Sequence, residues 1–366
     1  MAVKCGIIGL PGAGKSLLFN AMTKGNAASG NYLFCTTSAT AGTVSVPDGR
    51  LASLAKIARP NSITHATQEF VDIPGLVRGS SRGEGLGNSF LAEMRDMNAI
   101  AHVVRCFENP DMPHPEGALG PLRDLDIIEM ELLLKDIEVV EKSIERHQKT
   151  ACSGNKESQA LVAALEKALA GLNTGKLASA VELDSHEQQL LKSYCLLTQK
   201  PMLLVGNISE SDIVNPLGNP FYEELEKTAA KREIPIMAIC ARLEADLAQM
   251  ASDEQALFME EAGLCESGLG RFIRACYSLL SLQTFFTTAS KQLRAWTLPI
   301  GSTVRQAAGA IHSDFERGFI RAKVISYNDY LELNGESGAK EAGKQRVEGK
   351  GYVVNDGDVI EFLFNV

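Results

Sequence analysis

Residues 9–16 read Gly-Leu-Pro-Gly-Ala-Gly-Lys-Ser, the full G-x-x-x-x-G-K-S spacing of a phosphate-binding loop. Glycines at these places let backbone N–H groups turn inward onto an anion. Gly9, Gly12, Ala13 and Gly14 would form the cradle, and the helix that opens beyond them adds the positive end of its dipole. The Leu17 amide falls in that first helical turn. Lys15 supplies a point charge for β- and γ-phosphates, and the Ser16 hydroxyl can ligate Mg²⁺. The chemistry implied is binding, and with suitable partners cleavage, of a nucleoside triphosphate.

A second element, this one acidic, follows at the expected distance. Gln68–Gly75 reads as a strand ending in D-x-x-G, with Asp72 placed to hold Mg²⁺ and Gly75 bare enough to bring its N–H to a γ-phosphate. Asn31–Thr37 lies in a polar, glycine-bearing connection where a first switch segment belongs, and Thr36 is the residue expected to close on the metal, with Thr37 as the neighbouring alternative. The glycine-rich run 78–88 suits a segment ordered by the γ-phosphate and released after hydrolysis; the competing reading is a plain surface loop.

These groups need elements to hold them. Cys5–Ile8 reads as a buried strand, residues 17–22 as the helix after the loop, and Ala99–Phe107 as a further buried strand in which His102 is a packed, satisfied histidine. From about Ile127 to Gln148, and again from Leu161 to Leu172, apolar residues recur every three or four positions on either side of Ser153-Gly154-Asn155, which predicts an antiparallel helical hairpin or short coiled coil. Strand patterns return at Pro201–Gly206 and Ile236–Cys240, so the hairpin is an insertion in the nucleotide domain. A β-rich C-terminal region ends in Asp356-Gly357-Asp358 before a last strand. The predicted class is α/β: a Ras-like P-loop domain over 1–128 and 197–281, a helical arm over 129–196, and a small α+β module over 282–366.

The base site is expected at Asn207-Ile208-Ser209-Glu210, in the place of the N-K-x-D motif of GTPases, and at Cys240-Ala241-Arg242. Glu210 stands where a shorter Asp would accept two guanine donors, and one extra methylene displaces that carboxylate and weakens guanine discrimination. The Asn207 amide can serve either base, Ile208 offers an apolar contact, and the Ala241 N–H remains available. The attacking water lacks the glutamine that GTPases of the Ras type place after D-x-x-G, because this chain has Leu76. His114, in a loop with three prolines and a glycine, is the candidate to orient it. The competing reading of His114 is a solvated loop histidine.

Composition bounds the rest. The chain has 366 residues, 45% hydrophobic and 22% charged, enough for two or three globular domains. No apolar run approaches the ~20 residues of a membrane span, and Met1–Gly6 lead directly into a strand, so no membrane association and a cytoplasmic location are expected. Eight scattered cysteines show no metal-ligand spacing and read as reduced thiols. A net charge of −9 argues against coating nucleic acid by bulk charge while leaving room for a local RNA-facing patch.

Taken together, GLPGAGKS, NYLFCT, FVDIPGLVRGSSRGEGLGN, AHVVRCFEN, NISE, RAWT, GFIRA and the ending DGDVIEFLFNV resemble the YchF / Obg-like ATPase family, in the Obg branch of translation-associated P-loop NTPases, over essentially the whole chain. The resemblance implies a Ras-like domain, a helical arm and a C-terminal TGS module. It implies cytosolic hydrolysis of ATP, with GTP a poorer substrate, and binding to ribosomes, chiefly the large subunit, with rRNA contacts through the arm and the TGS module. It also implies a histidine in the loop of His114, and a monomer is the expected state. The family usually has Asn-Val where this chain has Gly12-Ala13. In related cation-dependent NTPases that Asn helps hold potassium, and Gly12 has no side chain to do so, which counts against K⁺ stimulation here. Two rival readings are a nucleotide-gated RNA- or protein-binding module with negligible turnover, and a small-molecule P-loop kinase, against which the base motif and the terminal module both speak.

Overall fold

The computed structural model of the chain describes residues 3–23, 39–81 and 86–365. By contact it divides into two units, Met1–Gly42 with Glu69–Leu269, and Thr43–Gln68 with Gly270–Val366. In chain order the elements are β1 (Lys4–Ile8), α1 (Lys15–Thr23), β2 (Thr40–Ser45), α2 (Arg50–Ala58), β3 (Ser62–Thr64), β4 (Thr67–Asp72), α3 (Leu86–Glu93) and β5 (Ala99–Arg105). The long helices α4 (Pro121–Cys152) and α5 (Lys156–Asn173) and the short α6 (Ser185–Leu191) intervene before β6 (Met202–Asn207), α7 (Pro220–Lys231), β7 (Ile236–Ile239), α8 (Ala241–Leu247), α9 (Ser252–Glu261) and α10 (Gly268–Leu279). The chain closes with β8 (Leu282–Thr287), β9 (Gln292–Pro299), α11 (Val304–Ile311), β10 (Phe319–Ile325), β11 (Arg346–Glu348) and β12 (Val359–Phe364).

One six-stranded sheet has the order β2-β4-β1-β5-β6-β7. The pairs β4–β1, β1–β5, β5–β6 and β6–β7 are parallel. Such strands are covered on both faces and need continuous apolar runs, and every residue of β5 is buried. Register pairs Ile7 with Asp72 and Ile8 with His102, and three positions further along β5 pairs Arg105 with Asn207. The phosphate loop, Asp72 and Asn207 therefore all sit at the carboxyl ends of parallel strands, where open α/β sheets bind ligands.

Helix α4 begins six residues before the first helical residue expected from periodicity, because Pro121 occupies its first turn, where a missing N–H costs nothing. It ends at the polar break, and Asn155 caps α5 by accepting the Ser158 N–H. The two helices pack side by side through Leu133, Val140, Ala164, Leu165, Ala168 and Leu172, which is the hairpin that the spacing predicted. Asp136, buried on α4, accepts the Leu197 and Thr198 amides and the Thr198 hydroxyl, all at 2.7–2.8 Å, and so ties the return of the hairpin to its outgoing helix.

The second unit carries another six-stranded sheet, β11-β10-β12-β8-β9-β3, with a core of Phe285, Leu298, Val304, Ala322, Val324 and Ile360. Its β3 strand comes from residues 62–64, far outside the module expected over 282–366, and pairs in parallel with β9. All three β3 residues are exposed, so the segment has no apolar alternation to announce it. The Asp356–Asp358 turn has Gly357 at φ 91°. Asp356 accepts the Thr284 N–H and pairs with Arg50, while Asp358 accepts the Asn355 N–H.

Candidate functional site

The phosphate loop takes the conformation its glycines permit. Gly9, Gly12 and Gly14 have φ of 147°, 78° and 98°, values an L side chain resists. A Cβ on Gly14 would run into the Asn207 amide. Lys15 is buried and folds back so that its Nζ donates to the Leu10 carbonyl at 2.9 Å. The Ser16 and Leu17 amides lie in the first turn of α1, where a helix offers N–H donors without intrahelical acceptors.

Ser16 and Asp72 meet as the spacing predicted: Ser16 Oγ donates to Asp72 Oδ2 at 2.6 Å. The other carboxylate oxygen, Asp72 Oδ1, is buried with no hydrogen-bond partner. Burial pushes the Asp72 carboxyl above its usual range, against the Ser16 hydrogen bond and the Lys15 charge. A hydroxyl beside an unsatisfied buried carboxylate oxygen is the donor set that a hard divalent cation takes, so these residues fit Mg²⁺. Gly75 lies against the phosphate loop, and a Cβ there would stand 2.8 Å from Pro11 Cγ. Leu76 turns away, fully buried among Ile73, Ile128 and Leu132. Thr36 and Thr37 lie outside the described residues.

At the base side the structure changes three assignments. Both ends of the Asn207 amide are engaged: Nδ2 donates to Ala13 O at 2.9 Å, and Oδ1 accepts from Ala241 N at 3.0 Å. Asn207 thus clamps the phosphate loop to the segment that opens α8. The Ala241 N–H expected to face a base is committed to that clamp. Ile208 is buried against Val104, Cys106 and Tyr222 rather than turned toward a ligand. Glu210 alone of the four is exposed, and its charge helps raise the pKa of Cys240, chiefly a burial effect, so the carboxylate stands beside the second base loop.

His114 is packed and tethered rather than solvated. Its side chain is 6% exposed, and its Nε2 lies 2.8 Å from Asp124 Oδ2 on α4. Nδ1 accepts the Glu116 N–H at 3.2 Å, which leaves the Nε2 proton to be donated to Asp124. Burial raises the Asp124 carboxyl, while His114 and Arg123 pull it down. The loop itself is fastened by Arg105 at the end of β5, whose guanidinium donates to the carbonyls of Phe107, Met112 and Asn109. Met112 Sδ and Arg105 both approach Gly12, at 3.5 and 3.9 Å from where a Cβ would stand, so the His114 loop lies beside the phosphate cradle. His102 is packed as expected, but its Nδ1 has no hydrogen-bond partner, and burial lowers its pKa to about 3.

Sequence reasoning missed Arg105, Asp124 and Glu131, all buried charges. Their signal was present: Asp124 and Glu131 are seven apart, two helical turns, and interrupt the apolar run Leu125, Ile127, Ile128, Leu132 that would otherwise read as plain core.

Comparison with known proteins identifies the family. A family model described as a 50S ribosome-binding GTPase matches residues 4–149, and the model of the YchF GTPase C-terminal region, described as a protein of unknown function, matches residues 282–365. The chain is 49% identical to the "Ribosome-binding ATPase YchF" of Haemophilus influenzae and 45% identical to that of Bacillus subtilis, each over 100% of both chains. The solved structure of the Schizosaccharomyces pombe YchF GTPase superposes with a TM-score of 0.86 at 33% identity, covering 99% of this chain and 97% of that one. Likeness of this degree along the whole length, shared by the nucleotide site, the helical insertion and the C-terminal unit, makes the chain a member of the YchF family.

Proposed function

We propose that this chain is a Mg²⁺-dependent ATPase whose nucleotide cycle governs its attachment to the ribosome, chiefly the large subunit. The observation that carries the reading is the Ser16 hydroxyl bonded to the buried Asp72, whose Oδ1 is unsatisfied, beside the Lys15 loop. Ser16 and Asp72 would hold Mg²⁺, which when bound neutralises phosphate charge, with Thr36 as a further ligand. The cradle residues and Leu17 bind and orient the phosphates, and Gly75 brings its N–H to the γ-phosphate. Glu210 disfavours guanine, so ATP is the preferred substrate and GTP the poorer one. The relatives' names supply the ribosome; this chain's acidic balance confines rRNA contact to local patches on the helical arm and the C-terminal module, which we read as a TGS domain. The nucleotide domain spans 1–128 and 197–281 around the 129–196 arm, and the working form is a cytoplasmic monomer that needs no K⁺.

Water activation falls to His114. With Leu76 buried, the residue directly after D-x-x-G is no candidate to orient water, and His114 lies in a loop beside Gly12. Its Nε2 must leave Asp124 to do so, which makes release of that tether part of the cycle. The same tether favours the second reading, a nucleotide-gated binding module with negligible turnover. Multiple-turnover phosphate release from ATP, with and without large subunits, decides between them. Release that Lys15→Ala abolishes supports the ATPase; tight ATP binding with no release under either condition supports the module.

A further inference from the structure

The segment that follows Gly75 is held by a group on the helical insertion. Glu131, 3% exposed, points from α4 into the turn 77–81. Its Oε1 accepts the Gly79 N–H at 2.7 Å and its Oε2 the Ser81 N–H at 2.6 Å. The turn is shaped to offer them. Gly79 has φ 88°, the Ser80 hydroxyl donates to the Val77 carbonyl at 2.7 Å, and Val77 N lies 3.0 Å from the same hydroxyl oxygen. Two converging amides on one ionisable carboxyl make charge-assisted bonds, stronger than neutral ones. The neighbouring contact is apolar: Leu76 buries itself against Ile128 and Leu132 of the same helix.

Helix α4 thus carries both segments that flank the phosphate loop. Asp124 holds His114, and seven residues on, two turns along the same face, Glu131 holds the continuation of Asp72–Gly75. Such a buried carboxylate is costly to keep unless it has a task, and packing alone would be served by another leucine.

We propose that Glu131 is a positioning residue for hydrolysis: it fixes the turn 77–81 on α4 and so sets where Gly75 presents its N–H to the γ-phosphate. This rests on the ATPase reading above. Nucleotide affinity is built by the P-loop and the base loops, which Glu131 does not touch. Its loss therefore acts on kcat and leaves KM nearly unchanged. The turn itself becomes mobile, which hydrogen exchange reads directly.

The test compares wild type with Glu131→Gln, which keeps the shape but turns an amide N–H₂ against one of the two donors, and with Glu131→Asp, which keeps the charge but reaches one amide only. We expect kcat for ATP to fall roughly tenfold or more in Glu131→Gln, with KM within about twofold, and Glu131→Asp to lie between. Exchange at the Gly79 and Ser81 amides is expected to quicken by about tenfold while α4 and α5 stay protected. Wild-type kcat in Glu131→Gln, a fall in kcat with KM raised in parallel, or unchanged exchange at Gly79 each overturns the proposal. A wild-type chain that binds ATP but never turns it over refutes the ATPase reading instead, and the exchange measurement, made on the full chain without turnover, separates the two failures.

Discussion

Replacing Asn207 by alanine breaks a side-chain bridge between the phosphate loop and the second base loop. Asn207 is 3% exposed, and the groups it bonds belong to Ala13 and Ala241, themselves 3% and 1% exposed. Truncation leaves the Ala13 carbonyl and the Ala241 N–H buried and unpaired, each at about 1–3 kcal/mol. Water can enter the vacated polar gap and recover part of this, so the lower half of the range applies, about 2–4 kcal/mol. That is a large share of the ~5–15 kcal/mol that holds an ordinary domain together. The assay is urea unfolding with and without ATP and Mg²⁺, reading the midpoint at constant slope. Asn207→Ala is expected to lower the midpoint and to weaken ATP binding by about tenfold or more, because 1.4 kcal/mol of lost loop registration already amounts to that. Asn207→Asp keeps an acceptor for Ala241 but aims a carboxylate at the Ala13 carbonyl, and is expected to bind ATP no better than the alanine variant. A wild-type midpoint and wild-type ATP affinity in Asn207→Ala would refute the clamp.

Three other outcomes follow. His102 stays neutral in the fold, its pKa lowered to about 3 from 6.5. The unfolded chain therefore takes up a proton that the native one does not, and stability present above pH 6.5 is lost as pH falls, by up to about 1.4 kcal/mol per unit; His102→Gln should flatten that acid limb, and an unchanged slope counts against it. Glu210→Asp is expected to move preference toward guanine in competition titrations, whereas a wild type binding GTP about a hundredfold better than ATP contradicts the base assignment. His114→Ala is expected to slow hydrolysis with ATP affinity nearly intact, the mark of a group acting in the transition state; unchanged turnover leaves His114 a structural partner of Asp124.

What the sequence disclosed follows the range of the interactions concerned. Lys15, Ser16 and the loop glycines sit in a local motif, and Asp72 ends a strand with a recognisable pattern, so their meeting across the sheet was predictable from fixed topology. The helical hairpin was legible because three- and four-residue spacing and the Ser153–Asn155 break are local properties as well. Asn207 ends its strand as the pattern suggested, but its bonding was not legible. Whether an amide faces a ligand or two neighbouring loops depends on where those loops come to rest. Ile208 went into the core for the same reason. His114 was seen as a loop residue, yet its partner Asp124 stands ten positions on in a helix whose start periodicity alone set too late. The strand 62–64 was invisible because exposed residues on a sheet edge follow no apolar alternation.

If the nucleotide cycle governs attachment, the nucleotide state must change ribosome binding, since a ligand shifts an equilibrium only by its differential affinity for the two states. The direct measurement is co-sedimentation of the full chain with purified large subunits at one fixed salt concentration, with a non-hydrolysable ATP analogue, with ADP and without nucleotide. Nucleotide control of attachment requires different retention in the analogue and ADP states, and a Lys15→Ala variant that behaves as the nucleotide-free chain under all three conditions. Equal retention of the wild type in every nucleotide state would contradict it.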